Sequence, residues 1–252
     1  MTWNEWYREA VMVKGLLRRR VLQAGITLLS TAAILGVSLL YAHMQRPELP
    51  VFETAVARKH IVVVDAGHGG FDGGSVSRAG TVEAPLNLAV AEKLQRQLTA
   101  AGLEVVMTRT DGEALGHTKK EDMAARKRLL NTEGAALCVS VHMNAVTDRA
   151  TRGPMAFYMK GSGEGERLAQ MVIDGVCNAV EWPLRAANPG DYFVVRECAC
   201  PAVLIECGFL TNAEDEKLLL DAAYQEKLAA GIAQGVLAYL DADNYNGDDG
   251  IS

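Results

Sequence analysis

Ile61-Val62-Val63-Val64-Asp65-Ala66-Gly67-His68-Gly69-Gly70 is the stretch on which the reading of this chain turns. Four β-branched residues run into a glycine-rich turn that carries one histidine. A continuous apolar run of this kind is a strand buried on both faces, as in a parallel sheet. The glycines let the backbone turn sharply after it. Open α/β sheets bind their ligands beyond the carboxyl ends of the strands, and that is where His68 falls. Two later runs end the same way: Leu137-Cys138-Val139-Ser140-Val141 before His142, and Ala202-Val203-Leu204-Ile205 before Glu206. Three strands delivering His, His and Glu to one edge point to a metal-dependent hydrolase.

Outward from these runs, strand-like and helix-like patterns alternate. Strands are expected at 60–66, 103–108, 136–141, 153–159, 192–196 and 202–207. Helices are expected at 84–101, 119–133, 164–180 and 222–240, with a short one near 213–220. In the last long helix Tyr224, Leu228, Ile232, Val236 and Tyr239 or Leu240 repeat on one face, as packing on a sheet requires. The alternation predicts a single α/β domain over 59–241, with a mostly parallel central sheet flanked by helices. The polar, acidic segment 242–252 reads as a disordered tail. Its Asp241-x-Asp243 lead-in resembles the start of a calcium loop, but Tyr245 occupies a ligand position.

Ahead of the domain, Val21 to Ala42 contains no charged residue. At a rise of about 1.5 Å per residue this run spans roughly 33 Å, enough to cross a bilayer's hydrocarbon core. Lys14, Arg18, Arg19 and Arg20 precede it, whereas His43 to Glu53 holds one arginine. The positive-inside rule then places 1–20 in the cytosol, a transmembrane anchor at 21–42, and everything after it on the exoplasmic side. A cleaved signal peptide is the competing reading, with Ala55-Val56-Ala57 as the cleavage pattern, but that pattern lies well beyond the apolar run. Pro47 and Pro50 mark a linker over 43–58.

The chain carries 25 Lys+Arg against 31 Asp+Glu, a formal charge of −6. Without its first twenty residues the balance is 20 against 29, so nucleic acid is excluded as a partner on electrostatic grounds. The five cysteines form no Cys-x-x-Cys metal pattern. Cys138 and Cys207 sit in apolar strand runs and pack as small hydrophobes. Cys198 and Cys200 stand too close for an easy bridge to each other, so free thiols are expected.

A lone histidine at a strand end is more often structural than ligating. Two at equivalent strand ends project into the same crevice. Catalytic zinc commonly takes three protein ligands and keeps one position open. Glu83, where the loop after the first strand enters a helix, is the best third candidate beside His68 and His142. Asp65 reads either as a carboxylate that orients a ligand histidine or as a turn-forming aspartate. Asn144 and Asn212 read as loop or helix-capping residues. Arg126 lies on a helix of alternating charge, where a solvated face is the default reading.

Four ordered motifs match a family. Asp65-Ala66-Gly67-His68-Gly69-Gly70, then Glu83 with Asn87-Leu88, then Ser140-Val141-His142-Met143-Asn144-Ala145, and finally Ile205-Glu206-Cys207-Gly208-Phe209-Leu210-Thr211-Asn212 resemble the zinc-dependent N-acetylmuramoyl-L-alanine amidases of the Amidase_3 type. The resemblance covers roughly residues 60–240. It implies one Zn2+ ion held by His68, Glu83 and His142, with Glu206 as catalytic carboxylate. The substrate it implies is peptidoglycan, both stem peptide and glycan, cut at the amide between N-acetylmuramic acid and L-alanine. Lys119-Lys120-Glu121-Asp122 with Arg126 and Leu130-Asn131, behind an N-terminal anchor, is similar to the sporulation amidases of the CwlD type, which implies a role in spore cortex maturation. An activating protein partner is left open. Ala66, often proline in relatives, and Cys207, often aliphatic, depart from the common pattern without removing a ligand.

The rival readings are a zinc peptidase cutting within the stem peptide and an anchored vegetative wall amidase with no sporulation role. A phosphate loop at Gly67-x-Gly69 fails because Asp72 stands where its third glycine belongs. A silent wall-binding module would have lost a ligand or Glu206, and all four are present.

Overall fold

The computed structural model describes residues 60–248, with side chains through residue 242. The expected segments 1–20, 21–42 and 43–58 lie outside the described residues. Among those described, no helix is long and apolar enough to cross a membrane. The elements run β1 (Ile61–Ala66), α1 (Glu83–Ala100), β2 (Glu104–Met107), α2 (Lys119–Leu130), β3 (Ala135–Asn144), β4 (Met155–Met159), α3 (Gly163–Ala179), β5 (Asn188–Gly190), α4 (Phe193–Glu197), β6 (Ala202–Phe209), α5 (Ala213–Leu219) and α6 (Ala222–Asp248).

The strands form one sheet in the order β2-β1-β3-β6-β4-β5. β2, β1, β3 and β6 are mutually parallel, and β4 joins β6 antiparallel. The mostly parallel sheet expected from the sequence is therefore present. Successive residues of a strand point to opposite faces, and the three central strands use this with little deviation. Val62, Val64, Leu137, Val139, Val141, Val203 and Ile205 pack into the larger core with α1, α3 and α6. Val63, Cys138, Ala202 and Leu204 face the other way, under Leu130 of α2 and Val194 and Val195 of α4. On that second face Asp65, Ser140, His142 and Glu206 follow in the same columns.

α3 and α6 cross unusually close. A Cβ on Gly235 would stand 2.4 Å from Val172 Cα, and one on Gly231 would stand 2.6 Å from the Gly175 carbonyl oxygen. Glycine is required there for the approach of two backbones.

Two elements differ from the sequence reading. Residues 192–196, expected as a strand, form the short helix α4. Val194 and Val195 are adjacent and both buried in one core, which a helical turn allows and a strand, with its alternating faces, does not. The edge strand is instead β5, Asn188-Pro189-Gly190, paired parallel to β4. A proline is tolerated at such an edge because its missing N–H costs no ladder bond. The last helix also continues to Asp248, past the end expected near Leu240. Polar residues beyond the core boundary do not break a helix, and no proline intervenes.

Candidate metal centre

β1 delivers the first side chain. Beyond Ala66 the chain turns, and His68 adopts a left-handed backbone with φ of 60°, a conformation few non-glycine residues hold. Its carbonyl is fixed by Arg126 Nη2 at 3.0 Å. β3 delivers His142 at its carboxyl end, and the ring lies directly over Gly67. A Cβ on Gly67 would come within 2.2 Å of the His142 ring, so only glycine leaves room for it. Glu83 is the first residue of α1 and is 2% exposed.

The three groups converge. Glu83 Oε1 is 3.0 Å from His142 Nδ1 and 3.3 Å from His68 Nε2. One ligand atom from each of His68, Glu83 and His142 lies within 4.8 Å of the other two. Zinc bonds N and O donors at about 2.0–2.2 Å, and the edge of a tetrahedron of that size is about 3.3 Å. The donor spacing therefore fits such an ion. The surroundings fit it as well. Glu83 Oε2 accepts from Ser75 N at 2.8 Å, and Oε1 accepts from Asn87 Nδ2 at 3.0 Å and Met143 N at 3.2 Å. His68 Nδ1 lies 3.0 Å from Asp72 Oδ2, an ion-pair distance without hydrogen-bond alignment. A carboxylate behind a ligand histidine is the usual device for setting its tautomer and orientation.

Burial raises the Glu83 carboxyl, but the imidazoles of His142 and His68 outweigh it and hold the group below the ordinary carboxylate range. Asp72 is likewise raised by burial, but Lys119 and His68 bring it down to about 2. Glu206 behaves in the opposite sense. It pairs in register with His142 on the neighbouring strand, is 7% exposed, and its Oε2 has no hydrogen-bond partner. Burial pushes it up to about 7, the charge of Glu83 adding to the effect and the two histidines opposing it. A carboxyl poised near neutrality can both accept and return a proton. In front of the two histidines lies a cleft of about 180 Å³ walled by His68, His142, Met123, Tyr192, Phe193 and Val194.

Behind the site lies a buried polar network that the sequence reading missed. Arg126, expected on a solvated face, is 3% exposed. Its Nη1 donates to Asp65 Oδ1 at 2.5 Å and to the Ala66 carbonyl at 3.0 Å. Asp65 also accepts from Thr108 Oγ1 at 2.8 Å and Ser140 Oγ at 2.5 Å. It orients neither histidine directly and is no turn former; it anchors Arg126. Arg109, also unforeseen, donates to the carbonyls of Ala66, Gly67 and Ala84 at 2.8–2.9 Å. Two arginines thus hold the carbonyls of the turn that presents His68. Asn87, noted in the sequence only as part of a motif, donates to the Gly67 carbonyl at 3.1 Å. Asn212 is the N-cap of α5, accepting from Glu214 N and Asp215 N, and Asn144 caps its own loop through Ala145 N.

The pattern of the Amidase_3 family, described as N-acetylmuramoyl-L-alanine amidase, matches residues 62–238. The chain belongs to that family. The amidase is 32% identical over 188 residues to the germination-specific N-acetylmuramoyl-L-alanine amidase of Bacillus subtilis (strain 168), covering 71% of this chain and 79% of the relative. Among solved structures, it is similar to the CwlD amidase from Clostridioides difficile in complex with the GerS lipoprotein. That match has a TM-score of 0.70 and 32% identity over 73% of this chain and 99% of the other. A second, the N-acetylmuramoyl-L-alanine amidase from Clostridium difficile 630, gives a TM-score of 0.67 and 36% identity over 72% and 97%. The activity is that of a peptidoglycan N-acetylmuramoyl-L-alanine amidase.

Proposed function

We propose that this amidase is zinc-dependent, with His68, Glu83 and His142 as the ligands and Glu206 as the proton-transferring carboxylate. The observation that carries the reading is the convergence of three ligand atoms from distant parts of the chain, beside a buried carboxyl with an unpartnered oxygen. A zinc ion held there supplies Lewis acidity, which makes water nucleophilic near neutral pH and draws charge from the scissile carbonyl. The protein's own groups do the rest. Glu206 takes a proton from the attacking water and hands it to the departing alanine nitrogen. The lactyl carbonyl of N-acetylmuramic acid gains the oxygen, and the stem peptide leaves with a free amine. The two imidazoles and Glu83 are held rigid by Asn87, Ser75 and the arginine-fixed turn, so little reorganisation accompanies the step.

The biological setting we propose is spore cortex maturation, as the first step toward muramic lactam, in a protein anchored through residues 21–42 with its catalytic domain outside the membrane. The names of the germination-specific relative and the CwlD structure support that setting. The lipoprotein complex of the latter supports a protein partner for this chain. Peptidoglycan incubated with the full chain and analysed by mass spectrometry should yield glycan with free lactyl carboxyls and intact stem peptides. Fragments cut within the stem would replace this reading with a peptidase. Loss of muramic lactam from the cortex of a deletion strain tests the setting separately, and a normal cortex would remove it.

A further inference from the structure

Three thiols gather beneath α4, and amide hydrolysis uses none of them. Cys198 is the C-cap of that helix, Cys200 follows two residues later, and Cys138 lies buried on β3 in the column that continues to Ser140 and His142. All are free thiols. The sulfurs of Cys198 and Cys200 stand 3.2 Å apart, and Cys198 Sγ also lies 3.5 Å from the Leu130 carbonyl oxygen. Both residues are half-buried, so a small reagent can reach them, whereas Cys138 is 1% exposed.

The loop that carries the pair is clamped. Asn131 Nδ2 donates to the Glu197 carbonyl at 2.8 Å, and Asn131 Oδ1 accepts from Ala199 N at 2.8 Å. Cys138 N donates to the Pro201 carbonyl at 2.9 Å. Two residues of chain reach at most about 7 Å, and bridged cysteines keep their Cα atoms about 4.4–6.8 Å apart. The sequence spacing that argues against an easy bridge is thus met by a backbone that already turns both sulfurs toward each other.

We propose that Cys198 and Cys200 form a redox-active dithiol that exchanges with disulfide-bearing oxidants. One of the two thiolates attacks one sulfur of the oxidant, forming a mixed disulfide and releasing a thiolate. The other cysteine then attacks the protein sulfur of that mixed disulfide, closing the bridge and expelling the second thiolate. Two electrons pass from the protein to the oxidant, and the two protons of the cysteines end on the two released thiols. Hydrogen bonding within the cluster draws Cys198 below the ordinary thiol range, and the 3.2 Å separation puts the second sulfur beside the first whichever one attacks. The bridge would tie the end of α4 to the entry of β6, and α4 supplies Phe193 and Val194 to the wall of the cleft.

The experiment uses the full chain with excess oxidised glutathione, alkylation of remaining thiols, and peptide mapping. The expected product has Cys198 and Cys200 joined within one peptide, loses two hydrogens, and reverts with dithiothreitol. In Cys200→Ser the mixed disulfide with glutathione should accumulate on Cys198, and Cys138→Ser should still form the bridge. If Cys198 and Cys200 both remain alkylatable, or if the bridge joins Cys138 instead, the proposal is overturned. These readouts are independent of zinc and of amidase activity.

Discussion

On the face covered by α1, α3 and α6, the central strands present Val62, Val64, Leu137, Val139, Ile205 and Cys207, all fully buried. On the opposite face the same strands present Asp65, Ser140, His142 and Glu206 in alternate positions. The first face gains stability from burial alone, at roughly 25 cal/mol per Å² of apolar surface. The second spends part of that stability on polar groups and offsets the cost through hydrogen bonding, with Asp65 accepting from Arg126, Thr108 and Ser140. Glu206 is the exception, left with an unpartnered oxygen. One face can be reserved for chemistry because the other secures the sheet.

Substitutions on the two faces should therefore fail in different ways. The largest effect is expected at the unpaired carboxyl. Glu206→Gln should lower kcat by about 10²–10⁴-fold while stability and bound zinc, read by denaturation and metal analysis, stay near those of the parent. Next comes Arg126→Met, which strands the buried charge of Asp65. A loss of about 3–5 kcal/mol in urea unfolding is expected, with part of it recovered in the double variant with Asp65→Asn. On the apolar face, Ile232→Ala should cost about 2–5 kcal/mol and leave kcat/KM of the folded enzyme unchanged. A large drop in kcat/KM there would break the division between the faces.

The Asp65 network also gives an acid limb. Burial raises the Asp65 carboxyl, but the Arg126 guanidinium and the Ser140 and Thr108 hydroxyls bring it below its ordinary value. A carboxyl lowered on folding contributes stability that is fully present above its unfolded pKa of about 3.9 and is lost as pH falls through the folded value. Unfolding free energy measured from pH 5 down to pH 2 should decline less steeply in Asp65→Asn. The smallest effect belongs to Asn212→Ala, which removes the cap of α5 and should cost about 1 kcal/mol.

Much of this was legible in the sequence. Runs of Val, Ile and Leu ending in His68, His142 and Glu206 revealed the parallel strands and the edge where chemistry gathers, because burial on both faces leaves an unbroken apolar signature. The supporting arginines were not legible. Arg126 sits among Lys119, Lys120, Lys127 and Arg128 on α2, and only the tertiary placement of Asp65 selects it for burial. Arg109 stands in a polar loop with no periodicity to mark it. Phe193-Val194-Val195 favours a strand by β-propensity, and the core beneath it overrides that preference. The proximity of the Cys198 and Cys200 sulfurs depended on the Asn131 clamp, a contact between residues far apart in the chain.

Two imidazoles and one carboxylate should together hold a single divalent ion. This is read from the zinc content of the purified full chain, alongside His68→Ala, Glu83→Ala and His142→Ala. One ion per chain in the parent and marked loss in each of the three variants is the expected result. Undiminished zinc in all three, with their folds intact, would contradict it.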